Sequence, residues 1–144
     1  MCSSDLLKGE SISTIRRFAP SAVLGPSWSG TPKGLVAHVR PPAESVRRAD
    51  EMAQPAWLIF PQFRAGGPPT STQVSKSQGL LRAADNSFNY NVLGRRGFEA
   101  LADLVDACDC YEFSYSDLEA AVAWFDQLAS SKAFTGCRQV ELVI

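Results

Sequence analysis

The densest run of chemically useful side chains is Gly30-Thr31-Pro32-Lys33-Gly34-Leu35-Val36-Ala37-His38-Val39-Arg40-Pro41-Pro42. Lys33 stands in a glycine-flanked turn, where backbone amides and an ammonium can converge on an anion. His38 and Arg40 share one face of the following strand, because strand side chains alternate with a period of two. A histidine and two cations at one end of a strand suit a phosphoryl group or a carboxylate. The same residues also read as a rim of solvated charges, with His38 hydrogen-bonded in the core.

Asp85-Asn86-Ser87-Phe88-Asn89-Tyr90-Asn91 is the second unusual patch. Asn86 and Asn89 fall one helical turn apart, so their amides can orient a partner backbone. They can equally close a helix and lead into the turn at Gly94, since asparagine tolerates the left-handed conformation. Asp103, Asp106 and Asp109 are spaced by three, compatible with acid/base or metal chemistry and also with a solvated helix face. The last two oppose the helix dipole, which points to nearby arginines such as Arg95 or Arg96 as compensation. Cys108 and Cys110, with Cys137 and the lone His38, match no common zinc spacing, and two small buried side chains at a helix end explain the pair better. No G-x-x-x-x-G-K-[ST], G-x-S-x-G or H-E-x-x-H occurs. Trp28, Trp57 and Trp124 lack cationic or aromatic companions at stacking intervals and read as core.

These groups must be held by short elements. Ile12, Ile15 and Phe18 or Ala19 recur at helical spacing until Pro20. Ala22 to Leu24 is a brief strand, Ser27 to Gly34 a turn region, and Leu35 to Val39 a strand buried on both faces. Ala43 to Glu51 suits a surface helix. Trp57 to Phe60 is an apolar strand closed by Pro61, and Arg64 to Gln73 a long loop. Ser75 caps a helix reaching Phe88, with Leu80, Leu81, Ala84 and Phe88 toward the core. A further helix follows Gly94 with Phe98, Leu101, Val105 and Cys108 on one face. Tyr111, Phe113 and Tyr115 alternate as a half-buried strand. Ser116 and Glu119 form a capping box for a last helix striped by Leu118, Val122, Phe125 and Leu128. The fold class is therefore mixed α/β, in α+β layers.

At 144 residues with 45% hydrophobic side chains, the chain can bury a core without staples. Fourteen basic against fifteen acidic residues argue against a nucleic-acid partner. No stretch approaches the roughly 20 apolar residues of a membrane span, and no signal peptide is evident. Cysteines without an export signal suit a cytoplasmic location. Met1-Cys2-Ser3-Ser4-Asp5-Leu6 reverse-translates from a GTG start into the tail of a common sequencing-library adapter. Residues 1–6 are accordingly expected to be a non-native leader, and 132–144 a C-terminal tail.

Together Lys8-Gly9-Glu10-Ser11-Ile12, Gly25-Pro26, Thr31 to Pro42, Asn86-Ser87-Phe88-Asn89-Tyr90-Asn91-Val92-Leu93-Gly94, Phe98-Glu99-Ala100-Leu101 and Asp109-Cys110-Tyr111 resemble one family. It is that of the HPr-serine-kinase-related proteins, of the type called HprK-related kinase A, over Leu7 to Ala129. The resemblance implies that 7–131 is the C-terminal portion of a phosphoenolpyruvate-carboxykinase-like kinase domain. The parent would bind ATP and Mg2+ through a P-loop and phosphorylate a protein hydroxyl. The P-loop half, upstream in the family, has no counterpart in these residues. Its nucleotide and metal residues therefore carry over to no position, and no cofactor is expected for this portion. Lys33, His38 and Arg40 remain as candidates near the phosphate, and Asn86, Asn89 and Tyr90 as partner contacts or caps. The expected function is thus part of an ATP-dependent protein serine kinase, inactive alone. The alternative is a non-catalytic interaction module docking through the Pro-Pro segments and the Asn-rich helix end. Expected partners are a protein substrate and the P-loop half. Without that half, Trp57 to Phe60 would be uncovered and the chain prone to self-association.

Overall fold

Gly9 sets the first turn of the chain. Its φ of 51° swings a short strand, β1 (Asp5–Lys8), directly into helix α1 (Glu10–Phe18). The Ser11 hydroxyl accepts the Lys8 N–H at 2.8 Å across that junction. Glu10 in the first turn of α1 and Arg16 and Arg17 in its last complement the helix dipole, and Pro20 follows its end. In this computed structural model, which describes residues 5–88 and 90–131, the chain divides between Met52 and Ala53 into two units.

The first unit continues with strands β2 (Trp28–Thr31) and β3 (Gly34–Val39) and helix α2 (Ala43–Arg47). Its sheet has the order β1-β3-β2 and is antiparallel throughout. Pro32 and Lys33 form the β2–β3 turn, and Gly34 takes the positive φ of 75° that ends it. Burial on both faces of β3 is confined to Val36 and Ala37; Leu35 and His38 are exposed. With Ile12 these two make the buried core of the unit.

Four expectations change here. Ser27 to Gly34 is not all turn but contains β2, because Trp28 and Thr31 pair with Val36 and Gly34. Ala22 to Leu24 forms only an isolated bridge, Leu24 to Val39. Trp28 is 63% exposed and no part of the core, since β2 lies at the sheet edge. The surface helix ends at Arg47 rather than Glu51.

The second unit comprises β4 (Trp57–Phe63), β5 (Thr70–Val74), α3 (Lys76–Asp85), α4 (Tyr90–Leu93), α5 (Arg95–Ala107), β6 (Asp109–Tyr115) and α6 (Leu118–Ser131). Its sheet runs β4-β6-β5, with β4 parallel and β5 antiparallel to β6. Cys110, Glu112 and Ser114 share the face of β6 covered by α3 and α5. Tyr111, Phe113 and Tyr115 share the other, where Phe113 stacks on Trp124 of α6 with centroids 4.2 Å apart. The result is a three-layer α/β/α arrangement. Across the described residues the protein is mixed α/β, with two three-stranded sheets and six helices.

The chemistry of single residues explains the departures from pattern reading in this unit. β4 passes through Pro61 to Phe63 because it is an edge strand, where a missing N–H can point away from the ladder. β5 hides in the expected loop because Thr70-Ser71-Thr72-Gln73 is polar and mostly exposed. The buried face of α3 is Gly79 and Ala83, while Leu81 and Phe88 are exposed. Small side chains are selected there by proximity: a Cβ on Gly79 would lie 2.6 Å from Cys110 Sγ. Asp117, not Ser116, caps α6, accepting the Ala120 N–H at 2.8 Å, whereas the Ser116 hydroxyl donates to the Gly67 carbonyl at 2.7 Å. The buried residue of α6 is Ala121; Val122 and Phe125 are partly exposed.

Candidate functional site

Of the anion-binding candidates Lys33, His38 and Arg40, strand β3 carries only His38, with Arg40 one step beyond its end and Lys33 in the turn before it. Lys8 pairs with Val36 and Leu6 with His38, so Leu6, Lys8, Val36 and His38 project from one face. Arg40 continues that face one step beyond β3, with its N–H on the Val23 carbonyl at 2.8 Å. Lys8 and His38 are diagonal neighbours across the ladder, roughly 7 to 8 Å apart at the backbone. Lys8, His38 and Arg40 are all exposed. They form a stripe of exposed basic side chains on one sheet face, around the buried Val36.

Lys33 does not join that stripe. It caps the opposite end of β3, roughly 20 Å from Arg40 at about 3.3 Å of rise per residue. Its N–H donates to Thr31 Oγ1 at 3.2 Å, and that hydroxyl donates to the Gly34 carbonyl at 2.7 Å. The turn thus satisfies its own donor and does not form a main-chain cradle for a triphosphate tail. Like the sequence, which has no P-loop motif, this turn does not supply the main-chain donors that would hold ATP with Mg2+. Among the described residues, no cluster of three or more His, Cys, Asp or Glu side chains is placed to hold a metal ion.

Lys8 escaped the pattern reading because a four-residue strand, Asp5-Leu6-Leu7-Lys8, shows too little alternation to announce itself. Three segments of the family resemblance meet at β3. Lys8 and the Gly9 N–H (2.8 Å to the Leu35 carbonyl) come from the first, the Gly25 N–H (2.8 Å to the His38 carbonyl) from the second, and β3 itself from the third.

In the second unit, Asn86 caps α3. Its side-chain amide donates to the Arg82 carbonyl at 2.8 Å, and the Ser87 hydroxyl donates to the Ala83 carbonyl at 2.7 Å. Asn86 has a φ of −97°, and Gly94 rather than asparagine takes the positive φ. Tyr90 opens α4, while Asn89 lies outside the described residues. Cys108 and Cys110 are buried, and Cys137 and Cys2 lie outside the described residues, as do residues 132–144 and the first four of the expected leader. Asp5 and Leu6 belong to β1. The compensation at the α5 C-terminus comes from Lys76, not Arg95 or Arg96. Its ammonium donates to the carbonyls of Val105 (2.8 Å), Asp106 (3.2 Å) and Cys108, while Arg95 pairs with Glu99 at 2.7 Å. Burial pushes the Cys110 thiol up from its ordinary pKa; neighbouring Lys76 opposes this and Asp109 adds to it.

Asn86 also borders a cleft of about 660 Å3 over the face of β4 and β6 that carries Glu112 and Ser114. Arg64, Arg82 and Glu112 contribute its charges. Periodicity singled out none of the three, because each is an isolated polar residue in an otherwise ordinary segment. No family model, no curated protein and no solved structure matches the chain. No helix among the described residues is long and apolar enough to cross a membrane.

Proposed function

We propose that this chain is the C-terminal portion of an HPr-kinase-related, ATP-dependent protein serine kinase with a phosphoenolpyruvate-carboxykinase-like domain, acting in the cytoplasm on a protein substrate. The sheet face of its first unit is the surface that meets the phosphate. The observation that carries this reading is the meeting of three resemblance-bearing segments at β3, with Lys8, His38 and Arg40 exposed along one face. Exposed basic groups in a row can steer and neutralise a phosphoryl group, which is most of what protein contributes to phosphoryl transfer. Nucleotide and magnesium would be held by a P-loop on polypeptide outside these residues.

The purified chain is expected to show no magnesium-dependent ATP hydrolysis above background. A longer product of the same gene carrying an upstream P-loop is expected to phosphorylate a protein serine. Arg40→Ala in that longer protein should lower transfer by roughly 10²-fold, the order seen when one donor to a developing anion is removed. Sustained ATP turnover by the present chain alone overturns the reading.

A second reading, a non-catalytic interaction module that self-associates or docks a partner, is favoured by one observation. Phe88 is fully exposed, with Val92 and Leu81 also largely uncovered near the asparagine-rich end of α3. If it holds, Phe88→Ser abolishes concentration-dependent association in sedimentation velocity, and no extended gene product has kinase activity.

A further inference from the structure

We propose that the second unit carries a binding site for a small aromatic oxyanion, a phosphate or carboxylate borne on an aromatic ring, in the cleft over β4 and β6. The site goes beyond the kinase reading and involves none of Lys8, Lys33, His38 and Arg40, basic residues of the first unit.

Position is the first argument. β4 and β6 are parallel, and the cleft runs along their shared face from Leu58 to Gln62 of β4, past Glu112 and Ser114, to Arg64 just beyond the carboxyl end of β4. In open α/β sheets that end is where chain connections diverge and leave room for ligands. At about 660 Å3 the cleft lies within the range of small-molecule sites, roughly 300 to 1,000 Å3, and far exceeds a bare oxyanion. The cleft thus has room for an occupant with a body as well as a charge.

Electrostatics chooses the sign of that charge. Glu112 is ion-paired with Arg82, which leaves Arg64 as the excess charge of the cleft. The carbonyls at the C-terminus of α3, which would otherwise repel an anion, are bonded by Asn86 and Ser87.

Geometry prepares both arginines. Arg64 is anchored at its backbone by a 2.8 Å bond to the Tyr115 carbonyl. Its Nε and Nη2 donate to Gln62 Oε1 at 3.1 and 2.8 Å, which fixes the guanidinium plane. Among the described residues Nη1 has no acceptor, so it is available to an incoming oxyanion. The Arg82 guanidinium lies 5.8 Å from the Phe60 ring centroid and remains about half exposed. A second aromatic ring can stack on its outer side, since guanidinium is planar and weakly hydrated. Leu58, Leu101 and Leu104 supply the apolar wall.

The test is an amide chemical-shift titration of the whole chain with phenyl phosphate, inorganic phosphate and benzylamine as probes. Phenyl phosphate should give saturable shifts at Arg64, Glu112 and Ser114. Inorganic phosphate should bind at least tenfold more weakly for want of the ring. Arg64→Gln should weaken phenyl phosphate about tenfold, the loss of one charged hydrogen bond, with Arg64→Lys intermediate. Arg17→Gln, an equal loss of charge on α1, should leave affinity unchanged. Because the main-chain bond of residue 64 is retained, both position-64 variants should keep the parent melting temperature. Equal or tighter binding of benzylamine at these amides, shifts that do not saturate, or an affinity indifferent to Arg64→Gln overturns the proposal.

Discussion

The two units solve the same problem with different resources. In the first, three antiparallel strands and a single well-formed helix enclose Ile12, Val36 and Ala37, and the sheet leaves its basic stripe open to solvent. In the second, helices lie on both faces of the sheet and enclose Ala83, Val105, Cys108, Cys110, Phe113 and Ala121. The first sheet buries only one position of β3 on each face, Val36 and Ala37, so neighbouring side chains stay free to meet a ligand and its core is thinner as a result. A sheet covered on both sides presents chemistry only where a layer stops short, as at the cleft. Where functional side chains can stand is thus decided by which sheet surfaces the helices fail to cover.

That contrast predicts unequal responses to core truncation. Phe113→Ala removes a fully buried ring that stacks on Trp124, and should lower the unfolding free energy by about 3 to 5 kcal/mol in urea denaturation. Val36→Ala in the thinner core should cost about 2 kcal/mol, from two lost methyl groups and a partly collapsing cavity. An equal or greater loss at Val36 would erase the distinction between the units.

Gly79→Ala should be net destabilising by about 1 to 2 kcal/mol, because crowding against Cys110 outweighs the gain in helix propensity. A rise in melting temperature would show that α3 can move off the sheet. Ser75→Ala dismantles a complete capping box with Gln78 and should cost about 1 kcal/mol; the amide-exchange protection of the first turn of α3 reports it.

The mildest effect is alkaline. The folded state holds the Cys110 thiol protonated, while the unfolded chain ionises near its ordinary value of 9.0. This contribution is therefore complete below pH 9 and is lost as pH rises through the raised folded value. Cys110→Ala should show a shallower decline in urea midpoint between pH 8 and 10 than the parent. Parallel declines would place the thiol in a wetter setting than its burial implies.

Much of this architecture could be read from the amino acids. Pro20 behind an Ile12–Ile15–Phe18 repeat gave α1, Ser75 gave the start of α3, and the Phe98–Leu101–Val105 repeat gave α5. Each rests on interactions within one turn or one element. The strands that escaped were β1, β2 and β5, short segments whose existence depends on a partner distant in sequence. For the same reason Pro61 reads as a terminator but does not end β4: whether a proline is tolerated depends on which edge of the ladder it faces. The apolar pattern of α3 points to Leu80, Leu81 and Ala84, whereas contact distance selects Gly79 and Ala83. As for the candidate site, the shared face of His38 and Arg40 is legible from alternation alone. Lys8 needed the β1–β3 register, and the remoteness of Lys33 needed the length of β3. The cleft arginines are set by tertiary placement and leave no local signature.

The meeting of α3 with β6 has an evolutionary corollary. With no space between position 79 and the sulfur at position 110, the two sites amount to a single choice made twice. A lineage that enlarges one is expected to shrink the other, so among relatives this pair should co-vary even though 31 positions separate its members.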